Sequence, residues 1–288
     1  MIEASTVGTA TRDEALIFLH LPKCGGTTLN RIIEWEYDPL RVFSIDPVLF
    51  LWSYKKLNRW PAKRLARMQV FKGHMPFGIH QRLPQKATYI TFLRDPVERV
   101  ISAYYFARSY LLHPLHSWIS KLTLEEYVQQ SPNHNVQCKY LSGRPFVGDY
   151  HAGPCTYEML EMAKQNLDQN FSLVGLTERF DEGLAILKII FDWEIAKYAK
   201  FNVTRSGLKK PSLPRSLVEL IAERNKYDME LYEYAVPRFN ETRARYGAEV
   251  QKQLDLILAA KELSKLESIY YFGASAIRKA IGRVHSAL

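Results

Sequence analysis

Residues Ala15 to Leu21 (ALIFLHL) form an apolar run broken only by His20, and it ends at Pro22-Lys23-Cys24-Gly25-Gly26-Thr27-Thr28. A strand with one wet face alternates apolar and polar residues. A continuous run of this length suits a strand covered on both faces, as in a parallel sheet flanked by helices. The two glycines permit a tight turn and a close approach of the main chain to a ligand. From Thr27 to Tyr37 the apolar positions Leu29, Ile32 and Ile33 recur at helical spacing.

Strand, glycine loop and helix start together predict a cradle for the phosphate end of a nucleotide-type ligand. The N–H groups of the first helical turn lack intrahelical acceptors and favour an anion. Thr27 and Thr28 add hydroxyl donors, and Lys23 adds a mobile point charge. The lysine precedes the glycines, whereas in the G-x-x-x-x-G-K-[ST] loop it follows them, which argues against magnesium-dependent triphosphate chemistry. The plainer alternative is a tight turn with a helix cap.

Further strands are expected at Met68–Phe71, Ala87–Leu93 and Phe171–Leu176, with helices between them. Asp46–Met68 reads as helix and loop bounded by Pro47 and Pro61, and a helix opening near Pro96 runs through Tyr110. Shorter helices are expected at Thr123–Gln130 and Asn135–Leu141, and longer ones at Pro154–Gln169 and Phe180–Asp192. This order predicts an α/β three-layer sandwich around a central, mainly parallel sheet. Residues 1–288 read as one domain: a core over 15–200, a basic loop at 202–214 and a helical C-terminal region at 215–288. That last region has three possible uses: packing on the core, forming a dimer face, or lying on a membrane. Glu262 and Glu267 interrupt the basic face a membrane helix would need.

The net charge of +9 points to an anionic partner. The basic residues are spread along the chain without a zinc-finger, RNP-like or basic-zipper pattern, so a nucleic-acid partner is not expected. No run approaches the ~18 apolar residues of a membrane span, and Met1–Glu14 lacks a basic-then-apolar leader. The expected location is the cytoplasm. Cys24, Cys138 and Cys155 are too few and too scattered for a disulfide framework or a zinc site, so no metal is expected.

A second anion site follows the Ala87–Leu93 strand. Arg94 lies just past the strand end and Ser102 two turns into the next helix. A guanidinium fork and a hydroxyl donor placed so can bracket one phosphate. The alternative is a local Arg94–Asp95 ion pair with Ser102 as an ordinary helix residue. Two anion sites on adjacent crossovers suggest a nucleotide phosphorylated at two places. His74, beyond the Met68–Phe71 strand and Gly73, is either a hydrogen-bonded loop histidine or a general base.

In combination, LPKCGGTTL at 21–29, KGHMPFG at 72–78 and LRDPVERVISAYY at 93–105 resemble the sulfotransferase superfamily. The resemblance is greatest to the group holding the heparan sulfate 2-O- and 6-O-sulfotransferases and bacterial relatives. It continues through HNVQCKYLSG at 134–143, LVGLTERFDEGL at 173–184 and NKYDMELYEYA at 225–235. The resemblance implies a P-loop-like fold and 3′-phosphoadenosine 5′-phosphosulfate (PAPS) as donor, with a hydroxyl acceptor on a saccharide or glycan and no metal. It assigns Lys23, Gly25, Gly26, Thr27 and Thr28 to the 5′-phosphosulfate, and Arg94 and Ser102 to the 3′-phosphate. Lys209 and Lys210 become further donor contacts on a covering loop, and His74 the base. Cys24 stands where the family usually has threonine. Lys72 stands where the heparan 2-O group has a second histidine. A kinase would need a lysine after the glycines and a magnesium-holding carboxylate; an inactive binding module would not need His74.

Overall fold

The computed structural model describes residues 14–45, 50–143, 153–194 and 213–259. Five strands form one sheet: β1 (Ala15–Leu19), β2 (Val42–Ile45), β3 (Val70–Gly73), β4 (Ala87–Leu93) and β5 (Phe171–Leu176). Their order is β2-β3-β1-β4-β5, and every neighbouring pair is parallel. The chain therefore starts in the middle of the sheet, builds one side through β3 and the other through β4. The point where the order reverses lies at the C-terminal end of β1, where open α/β sheets bind their ligands.

Helices α1 (Gly26–Glu36), α2 (Phe50–Arg59), α3 (Ala62–Leu65), α4 (Pro96–Ser109), α5 (His116–Ile119) and α6 (Leu124–Gln130) fill the first half. They are followed by α7 (Val136–Ser142), α8 (Tyr157–Asn170), α9 (Phe180–Phe191), α10 (Arg215–Arg224) and α11 (Lys226–Ala259). All five residues of β1 are buried because alternate side chains enter different cores. Ala15, Ile17 and Leu19 pack with residues of α7 and α8, such as Leu141 and Leu160. Leu16 and Phe18 pack with Leu29, Ile32 and Ile33 of α1 and Leu184 of α9. A third, smaller cluster joins α4 and α6 to Ile221 of α10.

The expected strands at Ala87–Leu93 and Phe171–Leu176 agree with β4 and β5. β1 ends at Leu19, two residues short of the expected Leu21, and β3 lies at Val70–Gly73, shifted from the expected Met68–Phe71. β2 was not foreseen. It is a four-residue edge strand, too short for a periodic signal, and its pairing with β3 sets its place. The described part of the C-terminal region packs on the core through Leu231, Ala235, Phe239, Val250 and Ile257. α11 breaks at Gly247, whose φ of 46° lies outside the helical region. Of the three cysteines scattered along the sequence, Cys138 and Cys155 meet with their sulfurs 3.3 Å apart as free thiols.

The starts of α7 and α11 cap one another. Asn135, at φ 53°, accepts on Oδ1 from the N–H groups of Tyr227 (2.9 Å) and Asp228 (3.0 Å). In return Asp228 accepts from Gln137 N (3.2 Å) and Cys138 N (2.8 Å). Each side chain satisfies donors that the other helix leaves without an intrahelical partner. Asn135→Ala is expected to lose about 1–3 kcal/mol of stability by denaturant unfolding. Asn135→Gly should recover part of that loss, because glycine tolerates the left-handed backbone.

Candidate functional site

The sheet brings three loop starts together at its C-terminal edge: His20–Gly25 after β1, His74 after β3 and Arg94 after β4. In the first loop Lys23 (φ 69°) and Gly25 (φ 74°) both adopt the left-handed conformation, which curls the main chain into α1. For lysine this is a strained state of the kind that clusters at ligand sites. α1 starts without a side-chain cap and without an acidic residue in its first turn, an arrangement that suits an anion. A Cβ on Gly26 would lie 1.9 Å from Cδ2 of His20, so the imidazole packs where any larger residue would stand. Thr27 and Thr28 follow in the same turn, and the N–H of Thr28 donates to Gly25 O (3.2 Å).

Lys23 Nζ sits over the Phe106 ring, 3.7 Å from its centroid. Burial, aided by the neighbouring Arg94 guanidinium, lowers its pKa to about 8. Burial pushes the Cys24 thiol up to about 12, so it stays protonated. Arg94 donates from Nη1 to Lys23 O (3.2 Å) and reaches Glu98 from Nη2 (3.4 Å). Arg94 thus pairs with Glu98 and not with Asp95. Asp95 instead caps α4 by accepting from Glu98 N (2.9 Å). Glu98 and Ser102 are four residues apart on α4 and share a helix face with the Arg94 contact.

Gln137 grips the main chain of Arg94 in both directions. Its Oε1 accepts from Arg94 N and its Nε2 donates to Arg94 O, both at 2.9 Å, and Cys24 Sγ lies 3.5 Å from Oε1. Glu178 supports the same loop by accepting from Asp95 N (3.1 Å) and Tyr232 OH (2.9 Å). Arg179 pairs with Glu182 and Asn240, away from Arg94. Gln137 was not singled out from the sequence, although the HNVQCKYLSG motif contains it.

The register Leu19↔Gly73 makes His20 and His74 neighbours at the ends of adjacent parallel strands. Their rings stack with centroids 4.1 Å apart. Nδ1 of His74 lies 2.8 Å from the His20 carbonyl oxygen, which only accepts, so this nitrogen carries the proton and Nε2 carries the lone pair. Gly73 has φ 136°, and a Cβ there would meet Ile45 O at 2.3 Å. Lys72 is paired in register with Phe18 and faces α1, where its Nζ meets Glu34 (2.8 Å) and Asn30 Oδ1 (3.4 Å). It is 3% exposed, so the residue standing in place of the second histidine is part of the core.

Other histidines of the chain have different surroundings. His80 is bound through Nδ1 to Tyr89 OH (2.9 Å), and burial lowers its pKa. His113 meets Phe106 edge-on, and burial with the nearby Lys23 charge lowers its pKa. Burial and the Arg224, Lys139 and Arg99 charges bring His134 down to about 4. Tyr127 is buried in the α4–α6 cluster and cannot stack on a ligand. Lys209 and Lys210 lie outside the described residues. Among the described residues no group of histidine, cysteine or carboxylate side chains is placed to hold a metal, and no helix is long and apolar enough to cross a membrane.

A parallel sheet with an uncapped helix start, a lysine and an arginine at its switch point has the layout of a nucleotide-phosphate-binding α/β protein. The chain belongs to the sulfotransferase family, whose profile matches residues 9–235. A heparan sulfate 2-O-sulfotransferase, hst-2, of Caenorhabditis elegans is 25% identical over 297 residues, covering 91% of this chain and 87% of the worm protein. Heparan-sulfate 6-O-sulfotransferase 1 of Cricetulus griseus is 26% identical over 290 residues, covering 84% of this chain and 71% of its own. Mouse sulfotransferase SULT7A1, solved as a complex with PAP, aligns with 76% of this chain and 66% of its own at a TM-score of 0.39 and 13% identity, too distant to bear on the fold.

With a pKa of about 8, Lys23 would make the affinity of an anion held beside it depend on pH. The protonated amine is the form that attracts phosphate, so affinity is constant below that value and falls above it. Calorimetric binding of 3′-phosphoadenosine 5′-phosphate is expected to weaken by about tenfold from pH 7 to pH 9. Lys23→Arg should flatten this profile, since a guanidinium stays charged throughout.

Proposed function

We propose that this protein transfers the sulfuryl group of PAPS to a hydroxyl of a saccharide, with His74 as general base. The observation that carries the reading is the His74 imidazole, fixed by the His20 carbonyl with its lone pair on Nε2, just past the end of the strand next to the cradle. Family membership, the named heparan sulfate relatives and the net charge of +9 support an anionic donor and a carbohydrate acceptor. The cradle fits such a donor: α1 begins with no carboxylate in its first turn, and Lys23 and Arg94 stand beside it.

The donor, when bound, supplies the sulfuryl group on its 5′-phosphate and departs as 3′-phosphoadenosine 5′-phosphate. Nε2 of His74 takes the proton of the acceptor hydroxyl as its oxygen forms the new S–O bond. Lys23 and the N–H groups at the start of α1 neutralise the charge that grows on the phosphate oxygen as the old S–O bond breaks. They act most strongly in the transition state, where that charge develops. Arg94 and Ser102 hold the 3′-phosphate and orient the donor, and Gln137 keeps the Arg94 main chain in place for that task. Lys209 and Lys210 extend the donor site from the 202–214 loop in this scheme.

His74→Ala is expected to reduce transfer of labelled sulfate from PAPS to desulfated heparan-type saccharides by at least roughly 100-fold. Its affinity for 3′-phosphoadenosine 5′-phosphate should be unchanged by calorimetry. Undiminished turnover would remove His74 from the mechanism, and tighter binding of magnesium–ATP than of the bisphosphate would replace the donor. Gln137→Ala should weaken bisphosphate binding by about tenfold through the loss of two hydrogen bonds to the Arg94 main chain.

A further inference from the structure

Behind His74 the structure holds a line of polar side chains that the transfer chemistry does not itself use. Nδ1 of His20 lies 3.1 Å from Nδ2 of Asn30. Asn30 Oδ1 lies 3.4 Å from the ammonium of Lys72, which is paired with Glu34 at 2.8 Å. An ammonium only donates, so it meets the amide oxygen and leaves the amide nitrogen to face His20. An amide nitrogen also only donates, so Nδ1 of His20 accepts and its proton resides on Nε2. The contacts thus define opposite tautomers for two stacked rings: Nε2–H for His20 and Nδ1–H for His74.

We propose that Asn30, oriented by the Lys72–Glu34 pair, is a positioning residue that holds His20 neutral and in place beneath the His74 ring. The inference rests on His74 being the base. With rings 4.1 Å apart, a positive charge on His20 would oppose the arrival of a proton on His74. Of the charged groups packed against this line, Glu34 and Arg31 come from α1 and Lys72 from β3, and Glu34 stands between the two cations, paired with Lys72 at 2.8 Å and interacting with Arg31. The stack is also fixed to the cradle, because the His20 ring occupies the space over Gly26. Lys72 therefore does not replace a missing catalytic histidine. It sets the amide that sets the ring that supports the base.

Nitrogen-15 NMR of the histidine rings tests this in the native protein. At neutral pH the spectrum is expected to show His20 protonated on Nε2 and His74 on Nδ1. A His20 ring protonated on Nδ1 would overturn the proposal, whatever any variant does. Asn30→Asp places a carboxylate against Nδ1 and should draw a second proton onto His20. The acid limb of its kcat–pH profile is then expected to move to lower pH by roughly half a unit. Asn30→Ala should lower kcat on the order of tenfold, with the affinity for 3′-phosphoadenosine 5′-phosphate unchanged. Wild-type kcat and pH profile in both variants, with His74→Ala inactive, would sink the positioning role alone. Full activity of His74→Ala would sink the base assignment instead, while leaving the tautomer of His20 as measured.

Discussion

The carboxylate of Asp228 is fully buried and carries the N-terminal end of α7 on its two oxygens. Burial raises its pKa, while the Arg99 guanidinium and the two N–H donors favour the charged form. The Arg99 contact, at 3.7 Å, is too long for a hydrogen bond and acts as a charge in a dry environment. Removing one member of such a set usually costs about 3–5 kcal/mol, because the other is left buried and uncompensated. What hangs from this anchor is the site: α7 presents Gln137, Gln137 holds the main chain of Arg94, and Arg94 reaches the carbonyl of Lys23. A helix far along the chain thereby positions both loops of the cradle.

Much of the central sheet could be read from the sequence because its strands are apolar runs with sharp ends. β4 and β5 begin and end where their residues change character. β1 stops at Leu19 because its partner β3 stops at Gly73, a tertiary limit that the run ALIFLHL does not carry. The start of α4 was legible from Pro96 and that of α6 fell within one residue of the expected Thr123. The mutual caps of α7 and α11 join residues about ninety positions apart and leave no local pattern.

The same division runs through the site. Lys23, Gly25, Gly26 and Arg94 lie in short segments after strands, and their convergence follows from a parallel sheet alone. The partnership of His20 with His74 depends on the register of β1 with β3, and so does the direction of Lys72. Counted from the paired Phe18 and Lys72, the residues two further on share a face, which brings both imidazoles and the lysine toward α1. In the sequence His20 only interrupts an apolar run. Its stack on His74 came only with the fold.

The lysine above the Phe106 ring has one more consequence. With a pKa of about 8 before an anion arrives, it is partly neutral in mildly alkaline solution. In the proposed donor site a phosphate group beside it would favour the ammonium, and the occupied site would draw a proton from the surrounding buffer. On that reading, donor capture under those conditions would be a reaction of three species, protein, nucleotide and proton. The heat it releases then includes the ionisation heat of whichever buffer gave the proton up.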